Sequence, residues 1–276
     1  MTDDAIDAAA QRVKRKYDTQ TFALLTEAWG ENLHMGLFER PDEPFDVASA
    51  RATDVLAREA GVRKGQHIVE AACGIGGTAR HLARVYGVRV EATNISEAQI
   101  ERARELNTAA GLTEMINVGY ADFHELPYAA RAFDGWWCQE AMLYAADKRR
   151  ILSEAARVTR VGGPLVVSDL VFIPGAPDAF YQGFMRRLGA HHIWTIAVYD
   201  ALIASMGFAV VARHDRSAHV APTFTKVLDR FVAKYDRNVA LVGKAEIDEV
   251  VGRMSMQRDA ARDGRLGWLT MVLRAS

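Results

Sequence analysis

The spacing of apolar and polar positions changes character near residue 67. Before it the period is helical. Residues 5–17 are Ala-rich, with basic side chains at Arg12, Lys14, Arg15 and Lys16, and predict an exposed helical arm. Residues 46–59 predict a helix closed at Gly61, where glycine supplies a left-handed cap. From residue 67 short apolar runs alternate with helical stretches. Strands are expected at 67–71, 88–93, 115–120, 132–138 and 164–172, with helices at 78–86, 96–110 and 148–159 between them. That alternation predicts a parallel, doubly wound sheet with helices on both faces. After Pro174 the order loosens: 175–206 reads as helical and aromatic, followed by a strand at 208–213, helices at 222–236 and 244–261, and a closing strand at 266–273. No internal repeat or low-complexity linker separates these parts, so one α/β domain with inserted cover elements is expected.

Composition narrows the class. A chain of 276 residues, 50% hydrophobic and 25% charged, can bury a sizeable core. Its 34 Lys+Arg against 35 Asp+Glu argue against bulk nucleic-acid binding, which needs a basic face. Two cysteines, Cys73 and Cys138, make neither a disulfide framework nor a zinc cluster, and read as small buried thiols. The stretch MTDDAIDAAAQ lacks the basic and apolar regions of a secretory signal, and no apolar run approaches the ~18 residues of a membrane span. A cytoplasmic protein is expected.

The chemistry concentrates at strand ends. Glu70-Ala71-Ala72-Cys73-Gly74-Ile75-Gly76-Gly77 lies between the first sheet strand and its helix, where glycines let a ligand lie against the backbone. The spacing is G-x-G-G rather than the G-x-G-x-x-G that cradles a pyrophosphate, and Glu70 suits a ligand carrying positive charge. No acidic residue closes the second strand; Asn94 can instead pair with a hydroxyl, and Ile95 can pack on a flat base. Asp122 offers an acceptor for an exocyclic amine, and Phe123 a wall. Singly each is weak, since an Asp after a strand is usually a turn residue. Together they outline a nucleoside pocket. A dinucleotide oxidoreductase is disfavoured by the missing third glycine, and a non-catalytic nucleoside-binding scaffold by the retained loop glycines.

The run 70–77, Asn94 with Gln99, Asp122-Phe123, and Arg157-Val158-Thr159-Arg160-Val161-Gly162-Gly163 resemble class I S-adenosylmethionine-dependent methyltransferases. The resemblance covers about residues 20–172 and is greatest to the branch holding sarcosine/dimethylglycine N-methyltransferases and sterol and geranyl diphosphate C-methyltransferases. It implies a Rossmann-like seven-stranded sheet with an antiparallel last strand, and S-adenosylmethionine as cofactor. Residues 1–60 would be a helical arm and cofactor-covering segment. Residues 61–276 would be the methyltransferase core, with an acceptor-binding cover at about 174–206 and 222–262. By the same resemblance Glu70, Gly74 and Gly76 frame the methionine end, Asn94, Ile95 and Gln99 hold ribose and adenine, and Asp122 and Phe123 clasp the adenine. Ala71 and Gln139, with Trp29 and Asn32 of the covering segment Trp29-Gly30-Glu31-Asn32-Leu33-His34, complete the expected cofactor contacts. Ala72 departs from the glycine common in relatives, and Val161-Gly162-Gly163-Pro164 from their P-G-G.

The acceptor is expected to be a small, apolar molecule. Glu140 follows the fourth strand, where N-methylating relatives tend to carry Asp and C-methylating ones Glu. A carboxylate there could stabilise a carbocation and remove its proton. The favoured expectation is therefore C-methylation of an isoprenoid double bond in a terpenoid or prenylated natural product, with Glu140, Tyr144 and Tyr199 catalytic. The alternative is N-methylation of a small amine such as glycine, sarcosine or dimethylglycine, with small-molecule O-methylation behind it. In the bland alternative Glu140 only holds a backbone amide. His191 and His192, adjacent on an expected helix, would diverge by about 100° and do not suggest a metal site. The N-terminal helix, at roughly a dozen residues too short to be stable alone, should pack on the active-site mouth or on a second subunit.

Overall fold

The computed structural model describes residues 3–274, so the outermost residues of the two expected segments lie outside the described residues. Three helices come first, α1 (Asp3–Tyr17), α2 (Gln20–Trp29) and α3 (Phe45–Ala60). The alternating part follows: β1 (His67–Ala71), α4 (Gly77–Tyr86), β2 (Arg89–Asn94), α5 (Glu97–Ala109), β3 (Ile116–Tyr120), β4 (Gly135–Gln139), α6 (Lys148–Val158) and β5 (Pro164–Phe172). The chain ends with α7 (Asp178–Leu188), α8 (Ile196–Ser205), β6 (Ala209–Asp215), α9 (Val220–Val232), α10 (Tyr235–Val242), α11 (Lys244–Arg262) and β7 (Leu266–Arg274).

The seven strands form one sheet in the order β3-β2-β1-β4-β5-β7-β6. The first five run parallel, and β7 inserts antiparallel between β5 and β6. All nine residues of β5 are buried, and its apolar stretches either side of Ser168 and Asp169 reflect a strand covered on both faces. Adjacent Trp136 and Trp137 on β4 enter opposite layers, as a two-residue period requires. Trp136 packs with Ile151, Leu152 and Ile203 of α6 and α8; Trp137 packs with Leu56, Leu82 and Ile100 of α3, α4 and α5. Ser96 caps α5 by accepting from Gln99 N.

The cover differs from its sequence reading. The expected helix 222–236 is two helices that break near Lys234, and α7 stops at Gly189 in the left-handed conformation (φ +72°). His191 and His192 therefore stand on a non-helical link, half-buried, with ring centroids 4.4 Å apart. The basic end of α1 is also not free. Ile6 and Ala9 are buried, and Lys16 reaches across to Tyr144 and Leu188. α2, α9 and α11 pack on one another through Leu24, Val227, Phe231, Ile247 and Val250. Among the described residues no helix is long and apolar enough to cross a membrane.

Candidate active site

At β1 the sheet reverses direction of growth, with β2 on one side and β4 on the other. The carboxyl ends of β1 and β4 open there into a crevice. Glu70 is on one lip, Gln139 and Glu140 on the other. The loop after β1 turns through Ala72, Gly74 and Gly76, all left-handed at φ +56°, +56° and +76°. Ala72 thus holds a conformation that suits glycine and costs an alanine about 1–2 kcal/mol. Gly76 N donates to Cys73 O, which tightens the turn into α4.

Beside this loop lies a cavity lined by Glu70, Gly74, Asn94, Ile95, Gln99, Phe123 and Gln139 among the expected cofactor residues. Three buried polar atoms of those residues lack a hydrogen-bond partner among the described residues: Glu70 Oε2, Gln99 Nε2 and Gln139 Nε2. Buried polar groups are nearly always paired, so this set of one acceptor and two donors fits a polar ligand such as a nucleoside-linked amino acid. Each orphan is aimed by its neighbours. Gln139 Oε1 accepts from Trp137 Nε1 at 2.6 Å and Thr78 Oγ1 at 3.2 Å, which fixes the amide. Asn94 Nδ2 donates to Gln99 Oε1 at 2.8 Å and to Gly74 O at 3.2 Å, while its Oδ1 accepts from Ile95 N. Asn94 thus ties the glycine loop to the second strand, and Gln99 carries the free donor. Burial pushes the Glu70 carboxyl up to about 8, against the pull of nearby Arg80.

Other expected cofactor residues stand back. Ala71 and Gly76 do not line the cavity; a Cβ on Gly76 would point at Arg80 and Ala103. Asp122 turns its carboxylate to His124, accepting from its backbone N and Nδ1 at 2.8 and 2.7 Å, and leaves the cavity wall to Ala121 and Phe123. Trp29 lines a second, adjoining cavity instead.

The segment 31–36 lies across the loop as a strap. A Cβ on Gly77 would meet Glu31 O at 1.9 Å and Asn32 Oδ1 at 2.6 Å, and one on Gly74 would meet Leu33 Cδ1 at 3.0 Å. His34, buried and depressed to about 4 by that burial, is held between its own segment and α3, 3.1 Å from Met35 O and 3.2 Å from Thr53 Oγ1. Glu140, in a left-handed conformation at φ +47°, fastens the other edge. Its carboxylate accepts from Met35 N (3.0 Å), Ser168 Oγ (2.5 Å) and Trp268 Nε1 (2.8 Å). Burial raises it to about 7 against these three donors.

The second cavity is mostly apolar, with walls from Phe22, Trp29, Leu143, Leu170, Phe224 and Met254. Tyr17, Leu33, Glu140 and Tyr144 line both cavities and mark where they meet. Tyr17 and Tyr144 are edge-to-face, with centroids 5.8 Å apart. Lys16 Nζ donates to Tyr144 Oη at 3.0 Å and to Leu188 O at 2.9 Å. Burial disfavours ionisation of Tyr144, yet the charge of Lys16, the Tyr17 hydroxyl and Arg253 hold its hydroxyl below the usual tyrosine value. Lys16 and Tyr17 were not among the expected site residues; they sit 128 and 127 positions from Tyr144, and only the packing of α1 brings them there. Tyr199 lines neither cavity. It is fully buried in the core and bonds Asp169 Oδ2 at 2.5 Å, because α8 packs beneath the sheet rather than at the crevice.

A strand-end crevice with a carboxylate in place of a phosphate cradle, a strap above it and an adjoining apolar cavity fit a protein that holds a nucleoside-type cofactor beside a second ligand. Comparison with known proteins makes the class specific. The family model described as a methyltransferase domain matches residues 69–167. The chain is 30% identical to the sarcosine/dimethylglycine N-methyltransferase of Halorhodospira halochloris over 97% of its own length and 95% of that protein's. It is 36% identical to an O-methyltransferase of Pyrenophora dematioidea, over 77% of this chain and 81% of the other. A solved structure from Galdieria sulphuraria, provisionally assigned as a sarcosine dimethylglycine methyltransferase, superposes with a TM-score of 0.86 at 26% identity, covering 94% and 98%. The geranyl diphosphate C-methyltransferase of Streptomyces coelicolor A3(2) shares the fold at a TM-score of 0.76 and 17% identity, covering 97% and 98%. The chain belongs to the methyltransferase family and is an S-adenosylmethionine-dependent methyltransferase of small molecules.

Proposed function

We propose that the protein methylates a heteroatom of its acceptor, a nitrogen of a small amine in the first place. The observation that carries this reading is the Tyr144 hydroxyl, 3.0 Å from Lys16 Nζ at the junction of the two cavities. When bound, S-adenosylmethionine supplies an electrophilic methyl on a sulfonium; Glu70, Gln99 and Gln139 would hold it. The charge of Lys16 disfavours a protonated amine beside it and so favours the nucleophilic, neutral form. The rings of Tyr17 and Tyr144 hold the Lys16 ammonium in place, 5.5 and 4.7 Å from their centroids. For an acceptor that must also lose a proton, Tyr144 Oη is the group poised to take it.

The relatives named as N-methyltransferases align over nearly the whole chain, which supports the nitrogen reading. Oxygen is the second reading, favoured by the apolar walls of the second cavity and the relative named O-methyltransferase. Isoprenoid C-methylation, the expectation drawn from Glu140, has weaker support. That carboxylate already accepts three protein donors, and the C-methylating neighbours resemble this chain in fold alone.

A screen with isotopically labelled S-adenosylmethionine against secondary amines, tertiary amines, alcohols, phenols and prenyl compounds tests the assignment. Tyr144→Phe should slow single turnover ~100-fold on hydroxyl acceptors, a typical general-base loss, and by less than ~5-fold on amines, whose neutral lone pair attacks before any proton is lost. Lys16→Met should move the rise of kcat/KM to higher pH, since the ionised phenol is then reached later. Label appearing only on olefinic carbon would refute the reading.

A further inference from the structure

Beyond its electrostatic pull on Tyr144, Arg253 has no assigned part in the second cavity. It stands on α11, half-buried, and lines the cavity among Val250, Met254 and Phe224. No hydrogen bond or ion pair of its guanidinium occurs among the described residues. Neighbouring arginines are paired: Arg258 with Asp259, and Arg187 with Glu249 across from the same helix. One turn on, Gln257 is buried on the same helical face and lines the same cavity, and its amide likewise makes no hydrogen bond among the described residues. The polar ends of Arg253 and Gln257 open on the cavity rather than on protein partners, which leaves both available to a molecule that enters it.

The other charges on this cavity leave that role open. Lys16 already serves Tyr144 and Leu188 O. Glu140 is committed to its three donors, and Glu246, two turns before Arg253, is exposed at the mouth and forms no ion pair with it. The free group is a planar fork of donors with one amide beside it, on the wall that the cofactor cavity does not share. A planar, two-oxygen anion matches that fork.

We infer that Arg253, with Gln257, docks a carboxylate carried by the methyl acceptor, so that the acceptor is an amino or hydroxy acid whose apolar body spans the cavity between Arg253 and Tyr144. This deepens the heteroatom reading and rests on the second cavity being the acceptor's. Such an arrangement fixes the acceptor at two ends. The acid sets its depth, and the nucleophile falls at the junction with the cofactor cavity.

Octanoate and its neutral counterpart octanamide probe the site without any methyl transfer. In calorimetry with S-adenosylhomocysteine present, the wild-type protein should bind octanoate at least 10-fold more tightly than octanamide. Arg253→Met should erase that preference while leaving octanamide and S-adenosylhomocysteine affinities unchanged, the latter serving as the check on folding. Arg253→Lys should retain part of it. Equal affinities in the wild type, no octanoate binding at millimolar concentration, or a preference that survives Arg253→Met would overturn the inference. A preserved octanoate preference alongside label found only on carbon would instead reject the heteroatom reading and keep the carboxylate site.

Discussion

Glu140 shows how one residue type at one position supports two chemistries until its partners are known. From the sequence, a carboxylate after the fourth strand reads as a base for a carbocation. In the structure both oxygens are spent: Oε2 on Met35 N of the strap, Oε1 on Ser168 Oγ and Trp268 Nε1. The residue is held at φ +47°, a conformation kept only where the surroundings enforce it. Glu140→Gln replaces an acceptor oxygen with an NH2 group and strands one donor, at a cost of about 1–3 kcal/mol. The variant should unfold at lower denaturant concentration yet keep the single-turnover rate within a few-fold. A 100-fold slower turnover at unchanged stability would return Glu140 to the chemistry. The same limit applied to Asn94 and Gln99: their strand-end positions were legible, but which of the bonded pair keeps a free donor depends on a 2.8 Å contact between them.

At the scale of elements, the loop and its strap form one device. Gly76 and Gly77 look equivalent in the sequence and are not. A side chain at Gly76 faces Arg80 and Ala103 behind the loop, whereas one at Gly77 would occupy the space of the Glu31 carbonyl. Gly77→Ala should therefore lift the strap, weaken S-adenosylhomocysteine binding at least 10-fold and expose residues 30–36 to limited proteolysis. Gly76→Ala should cost stability, about 1–2 kcal/mol of left-handed strain, with far less effect on binding. Comparable losses of affinity in both variants would count against a strap resting on Gly77. The βα units were readable because each carries its own signals, such as the Ser96 cap and the Gly87 stop. The cover was not. The break between α9 and α10, and the seating of Lys16 on Tyr144, are decided by packing between segments far apart in the chain.

Across the whole molecule, the crevice stores two carboxyls above their ordinary range, Glu70 at about 8 and Glu140 at about 7, both raised by burial. The native state then holds protons that the unfolded chain has released; below about 6.5 the depressed His34 works in the opposite direction, so ligand-free stability should fall as pH climbs from about 6.5 towards 8. Thermal melting of the wild type and of Glu70→Gln across that range tests this, with the variant giving the flatter curve. A wild-type melting temperature that rises over this interval would contradict the assignment.

The two cavities share only Tyr17, Leu33, Glu140 and Tyr144. The remaining wall of the second comes largely from α1, α2, α9 and α11, while the first is built mainly on strand ends and the loops that follow them. Substitutions that alter the acceptor and substitutions that alter the cofactor therefore fall on nearly disjoint sets of residues. Lineages of this architecture can diverge in what they methylate while drifting little in what they methylate with. The four shared side chains are where the two histories must stay compatible.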